Sequence, residues 1–334
     1  MFEGLVTYSS PFVPIEWIAA HGLRPCRLTP LSEASDIHQG QCPFARSFVQ
    51  AIERQKAGAA VFATTCDQMR RGSELLHRPD LPVFVMNVPA TWQSPAAGKM
   101  YMAELRRLGL FLQSLGGTQP DDARLASVML DYEQARRRLT DAAAALGARQ
   151  FQESLRQLHQ LPPADASNWS PVAVGQADGK TKTRDCARRI PLAVLGGPLP
   201  NKSLRLLDLI ELSGGQVVLD ATETGRRGLP AEPDRRRLPD DPLAEMAAMY
   251  FGGIGDAFRR PDSLLYEWLS RQIALCRPRG IILIHQVWCD LWHAQLAPLR
   301  EWSTLPVLQI VDGGDDSARA SASTRIESFM EILR

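Results

Sequence analysis

No stretch of the chain approaches the ~18 consecutive apolar residues that a membrane-crossing helix requires. Neither charge sign is in excess: 38 basic against 37 acidic side chains leave a net charge of +1. The broad electrostatic attraction that draws basic proteins to nucleic acid or anionic membranes is therefore not expected. The N-terminus, MFEGLVTYSSPFVP, has neither a basic n-region nor a clean apolar h-region, so a secretory signal is not expected and the cytoplasm is the expected compartment. That expectation removes meaning from the sequon Asn168-Trp169-Ser170. It also makes the cysteines thiols or metal ligands instead of disulfides. No CxxC occurs, which argues against a zinc ribbon and excludes the bacterial ferredoxin run.

What is present is an alternation of short apolar strands and helical stretches in 334 residues, enough for two ordinary domains. Strands are expected at LVTY, RPCRL, AAVFATT and PVFVMNV. PIEWIAAHG, CPFARSFVQAIERQKAG and CDQMRRGSELLH read as the helices between them. Two amphipathic helices follow, with Tyr101, Leu105, Leu108, Leu112 and Leu115 on one stripe and Leu125, Val128, Tyr132, Ala135 and Leu139 on the other. These stripes read as core. The alternation resumes with the strand IPLAVLGG, the helix NKSLRLLDLIELSGG and the strand QVVLDAT. RRGLPAEPDRRRLPDDP, with four prolines, reads as an extended surface loop. Helices near Pro242–Phe251 and Pro261–Cys276, the strand GIILIH, a helix from Cys289, the strand LPVLQIV and a final helix complete the chain. The fold class is α/β, with two Rossmann-like parallel-sheet domains and an additional helical segment. The expected division is 1–160 for the N-terminal α/β domain with its helical segment, 161–188 for a linker, and 189–334 for the C-terminal α/β domain.

Three of the six cysteines share one pattern. Cys66 and Cys289 each stand where a strand ends and a helix begins, each followed by an aspartate, and Cys42 precedes Pro43 at another helix start. Unpaired N–H groups and the helix dipole at such places are expected to lower a thiol pKa and to suit a thiolate or an anionic cluster. Three converging thiolates suit a cubane with one open iron, or a zinc ion with an open or histidine-filled fourth position. Against this stands simple packing, since free cysteine is among the most buried residue types. Cys26, Cys186 and Cys276 lack the pattern and read as packing thiols.

Other residues admit a bland reading beside a functional one. Gly196-Gly197-Pro198, with Lys202 on the following helix, could cradle a phosphate, but lacks a dinucleotide fingerprint and reads as a tight turn. Arg46, Arg70 and Arg71 could balance a cluster's charge or could be solvated. His285, Gln286 and His293 flank Cys289, and a histidine there could donate to a cluster sulfur or act as a general acid. It could equally be satisfied in the core or at the surface. Asp220 and Asp312 end strands of the second half and could shape a cleft. No catalytic side chain is singled out.

The chain resembles the 2-hydroxyacyl-CoA dehydratase D-component family, which includes subunits of ATP-dependent benzoyl-CoA reductases. The resemblance is carried by SSPFVPIEWIAAHGLRPCRL, CPFARS, ATTCDQMRR and PVFVMNVP in the first half. In the second half it is carried by IPLAVLGGPLPNKSLRLLDLIELSGGQVVLD, HQVWCD, LPVLQIVD and TRIESFMEIL. It implies a 4Fe–4S cluster held by Cys42, Cys66 and Cys289. It also implies a homologous second subunit in a hetero- or homodimer, an ATP-hydrolysing iron–sulfur activator protein, and an acyl-CoA substrate. The implied reaction is elimination of water from a 2-hydroxyacyl-CoA through a ketyl radical, a lyase activity. A reductase of the same superfamily, or a non-catalytic cluster-bearing partner subunit, is the alternative.

Overall fold

The structure, a computed structural model, describes residues 4–30, 40–54, 57–171, 189–313 and 316–334. Cys186 and residues 172–188 of the expected linker lie outside them. The first half runs β1 (Leu5–Tyr8), α1 (Ile15–Ala20), β2 (Arg24–Arg27), α2 (Pro43–Arg54), β3 (Ala59–Ala63), α3 (Asp67–Glu74) and β4 (Val83–Met86). The helical block follows as α4 (Pro95–Ser114), α5 (Asp122–Ala142), α6 (Ala148–Leu158) and the single turn α7 (Pro163–Ala166). The second half runs β5 (Ile190–Gly196), α8 (Arg205–Leu212), β6 (Gly215–Thr222), α9 (Pro242–Ala247), α10 (Ser263–Cys276), β7 (Gly280–Gln286), α11 (Asp290–Ala294), α12 (Leu296–Trp302), β8 (Val307–Asp312) and α13 (Asp316–Leu333).

The two sheets have four strands each, all parallel, in the orders β2-β1-β3-β4 and β6-β5-β7-β8. The order is the same in both, so the expected two Rossmann-like units are present. β3 and β7 are buried along their whole length, as continuous apolar runs covered on both faces must be. In each sheet the chain winds one way from the first strand to the second and the other way to the third. The crevice that opens between first and third strands, at their carboxyl ends, is where open parallel sheets bind ligands.

The expected stripes are core: Tyr101, Leu105, Leu108 and Leu112 of α4 and Leu125, Val128, Tyr132, Ala135 and Leu139 of α5 are buried. Each such large apolar side chain stabilises the fold by roughly 1.5–3 kcal/mol. Ser94 and Asp121 cap these helices by accepting N–H groups of Ala97 and Arg124. A turn of π-helix, Ala248–Gly252, extends α9, and its Met249, Tyr250 and Phe251 pack into the core around β1, α1, α4 and α5. Tyr250 donates to buried Glu16 at 2.6 Å, and Arg136 donates to the same carboxylate at 2.5 Å. Residues late in the chain thus complete the core of the early ones.

The Pro-rich stretch after β6 departs from the expected surface loop. Arg226–Gly228 forms a 3-10 turn, and Arg227 and Leu238 are buried. The reason is local satisfaction. The Arg227 guanidinium donates to the carbonyls of Ala221, Gly255 and Gly196 and pairs with Asp256, so its charge is compensated inside the protein. A second departure is that the helix expected from Asn201 begins as a 3-10 turn, Asn201–Leu204, before α8. Among the described helices none is long and apolar enough to cross a membrane.

Candidate functional site

Each sheet sends its first and third strands into one shared cavity. Ser9 and Ser10 follow β1, Thr65 and Cys66 follow β3, Gly197 and Pro198 follow β5, and Cys289 follows β7; all line it. The switch points of the two sheets therefore face each other across about 60 Å3 of open space. Cys42, at the start of α2, joins them, so the three cysteines with the shared sequence pattern meet in one place.

The local chain explains each position. Cys66 is the N-cap of α3 and its Sγ accepts the N–H of Met69 at 3.4 Å. Cys42 stands in the same relation to α2, its Sγ accepting from Ala45 at 3.4 Å, while its own N–H donates to Gln68 Oε1 at 3.0 Å. The Gln68 bond ties the starts of α2 and α3 together. Cys289 is the N-cap of the short α11, and its N–H donates to the carbonyl of Gln286 at 3.1 Å. The residue before it, Trp288, has φ +65° and is 60% exposed. A bulky residue rarely occupies this left-handed region, so the turn delivering Cys289 is strained. Gly196 is obligatory at the end of β5: φ is +155°, and a Cβ would stand 1.8 Å from the carbonyl oxygen of Ile284.

The expected acidic thiols are not found. Burial pushes the Cys42, Cys66 and Cys289 thiols up to about 12 each. The helix-start N–H groups do pull the other way, but desolvation of a thiolate outweighs them. Each thiol is raised further by one of the other two: Cys42 by Cys66, Cys66 by Cys289, Cys289 by Cys42. The three would repel one another as anions. Only a bound cationic group lets all three deprotonate together. Yet among the described residues no three His, Cys, Asp or Glu side chains stand close enough to hold a metal ion.

Around the thiols lies a charge arrangement that sequence reasoning missed. Glu223, one residue past β6, lines the cavity with Asp256. Burial, then the Asp256 charge, raise its carboxyl to about 7 against the opposing pull of Arg27 and Arg227. Arg27 approaches Glu223 at 3.9 Å and donates to the carbonyl of Ser9 at 2.8 Å. Arg227 lies 4.6 Å from the centre of the Trp292 ring, which forms part of the wall. An acid just after a strand at the sheet's carboxyl edge was the available signal for Glu223. Arg227 gave none, sitting in a loop of apparently solvated arginines.

The remaining sequence candidates separate clearly. Gly197 and Pro198 line the cavity, while Lys202 lies outside the lining. A Cβ on Gly197 would be 3.0 Å from the Trp292 ring, so the glycine is needed for close packing of β5 on α11. Gln286 lines the cavity and donates to Asp312 at 2.9 Å, leaving its Oε1 buried without a partner. Arg46 Nε is likewise buried without a partner, and its charge acts on Cys42. Arg70 and Arg71 are exposed, Arg70 near Asp67 at 3.5 Å. His285 is buried, contacts Gln286 and Gln309, and stacks on His293, but neither histidine lines the cavity. Asp220 accepts from Gln152 and Thr222 and fastens α6 to β6, away from the thiols. Cys26 is buried on β2, its thiol pushed up to about 11 by burial, and Cys276 ends α10 beside a separate pocket.

A comparison with curated proteins finds no match to the chain. The family model described as 2-hydroxyglutaryl-CoA dehydratase, D-component, matches residues 11–333, nearly the whole length, and the chain belongs to that family.

Proposed function

We propose that the protein is the iron–sulfur component of a 2-hydroxyacyl-CoA dehydratase-like enzyme, with Cys42, Cys66 and Cys289 holding one 4Fe–4S cluster. The observation that carries this reading is the meeting of three thiols, far apart in sequence, at the two facing switch points. The donor set is chemically apt. Soft thiolates suit iron–sulfur cages, and three of them leave one iron open. The buried, unpartnered Arg46 Nε supplies a donor beside Cys42 for an anionic group.

When bound, such a cluster supplies one-electron transfer and a Lewis-acidic iron for a thioester carbonyl or a departing hydroxyl. The chain's own residues prepare the place. Phe12, Phe44 and Trp292 exclude water from it. The N–H groups at the starts of α2 and α3 point toward the sulfurs and stabilise their negative charge. Asp312 orients Gln286, whose free Oε1 is available to accept from a hydroxyl or amide of a ligand. On this reading the component works in the cytoplasm with a homologous second subunit and an ATP-hydrolysing activator, as a lyase removing water from a 2-hydroxyacyl-CoA.

The test is anaerobic iron and acid-labile sulfide analysis of wild type beside Cys66→Ala. About four irons per chain are expected of a cubane, with loss of most iron in the variant. A colourless zinc protein, or iron unchanged by the substitution, overturns the assignment.

A further inference from the structure

A second space lies between the two halves of the chain and shares no lining residue with the thiol cavity. Arg27 and Thr29 at the end of β2, Arg156 and His159 at the end of α6, Asn201 after β5 and Thr224 after β6 surround about 20 Å3 of it. Two guanidiniums line this space, and among the described residues no carboxylate does. Its polar groups are largely unspent. Arg27 is 4% exposed; its Nε and Nη2 donate to the carbonyls of Ser9 and Glu223, and its Nη1 makes no hydrogen bond among the described residues. Arg156 is half-buried and has neither an ion pair nor a hydrogen bond among them. The side chains of Thr29 and Asn201 and the buried ring of His159 are likewise without a hydrogen bond there.

The neighbouring acids do not balance these cations. Asp220 accepts from Gln152 and Thr222. Glu223 stands 3.9 Å from Arg27, and burial followed by the Asp256 charge pushes its carboxyl up to about 7. His159 registers the excess of positive charge: after burial, Arg27 and Arg136 hold its imidazole well below the usual range.

We propose that this pocket is an anion site that binds a phosphate group, either the free ion or the end of a larger ligand. The inference goes beyond the dehydratase-like reading and does not depend on it. Guanidiniums bind phosphate oxygens through paired, charge-assisted N–H donors. A buried cation that lacks a full counter-charge is costly, and an entering anion relieves that cost. The hydroxyl of Thr29, the amide of Asn201 and the neutral imidazole of His159 each have a donor for a further oxygen. A carboxylate brings one charge and two oxygens to this set, whereas a phosphate brings more of both. The space admits one small group, so the remainder of any larger ligand lies outside it. Because the lining comes from both halves, a bound phosphate joins β2 and α6 to the segments after β5 and β6, and binding stabilises the fold.

Isothermal titration calorimetry and thermal melting test this on the anaerobically purified protein as isolated, in phosphate-free buffer with chloride fixing the ionic strength. The probes are inorganic phosphate, CoA and dephospho-CoA, the last lacking the 3′-phosphate. Inorganic phosphate is expected to bind and to raise the melting midpoint as its concentration grows. Arg156→Gln removes the unpaired cation, and Asn201→Asp sets a carboxylate into the lining. Each is expected to weaken phosphate binding at least about tenfold. Both positions are half-buried, and the midpoints without phosphate check that the variants fold. CoA binding tighter than phosphate, with the advantage lost in both dephospho-CoA and Arg156→Gln, places the phosphate at the end of a larger ligand. Any other ranking leaves the free ion as the occupant. If neither inorganic phosphate nor the 3′-phosphate of CoA adds binding, or if both variants bind as the wild type does, the proposal is overturned.

Discussion

Replacing Arg227 by methionine removes one buried cation and exposes how the cavity is held together. Its side chain is fully buried, and that of its partner Asp256 is 7% exposed. Losing the guanidinium leaves Asp256 as an unpaired charge inside the protein, at a cost of about 3–5 kcal/mol. Three carbonyls also lose a donor, those of Ala221 at 3.0 Å, Gly255 at 3.0 Å and Gly196 at 2.8 Å, the last keeping the N–H of Glu223 at 3.2 Å. Some of this overlaps with the charge penalty, and methionine restores part of the packing on Trp292, so a total near 4 kcal/mol is expected. The assay is urea denaturation followed by fluorescence, on Arg227→Met, Asp256→Asn and the double variant. Removing both charges relieves the unpaired-ion penalty, so the double variant should lose less than the sum of the singles, by at least about 1 kcal/mol. A single-variant loss below about 1 kcal/mol, or strict additivity, would refute the claim that a buried ion pair braces this site.

Three further outcomes follow from particular residues. Gly196→Ala places a Cβ 1.8 Å from the Ile284 carbonyl oxygen; soluble, folded protein should be lost, and normal far- and near-ultraviolet circular dichroism from the variant would contradict the geometry. Trp288→Gly should stabilise the protein by about 1 kcal/mol, because the residue has φ +65° and is 60% exposed; a lowered urea midpoint would show that the indole packs more than it strains. His159 is held well below the usual histidine range by burial, with Arg27 and Arg136 adding to the effect. The unfolded chain then binds a proton that the folded one refuses below about pH 6.5, so stability falls as pH drops from there toward the depressed folded value. His159→Gln should flatten that acid limb of the urea midpoint, and an unchanged slope would remove the histidine as its cause.

The features legible in the sequence were those that neighbouring residues decide. β1 matches the expected strand from Leu5 to Tyr8 because a short apolar run between turn residues has one economical conformation. α4 and α5 followed from their stripes and start signals. α6 was overlooked although Phe151, Leu155 and Leu158, all buried, recur at helical spacing; the polar residues around them masked the stripe. The pattern shared by Cys42, Cys66 and Cys289 pointed to a common role, but only the matching strand orders of the two sheets put them in one cavity.

What stayed illegible depends on groups distant in the chain. Arg227 could be buried only because Gly196, Ala221, Gly255 and Asp256 surround it, and none of these relations has a sequence period. Thiol acidity failed for the same reason, and the failure is informative. A helix start is a local feature, and its N–H groups do stabilise a thiolate as expected. Burial is a property of the assembled fold, and here it dominates, holding the thiols near 12. The two effects act in different states of the site. Without a cationic partner, burial keeps the three thiols neutral and poor nucleophiles at neutral pH. On the proposed cluster reading, a cationic cage would make the same buried position favourable, because the charges would be paired and water that competes for them excluded. A site built this way would gain its thiolate character from its occupant, and binding would release protons. Reconstitution with iron and sulfide should therefore slow steeply as pH falls, and a rate independent of pH between 7 and 9 would show that the thiols were ionised beforehand.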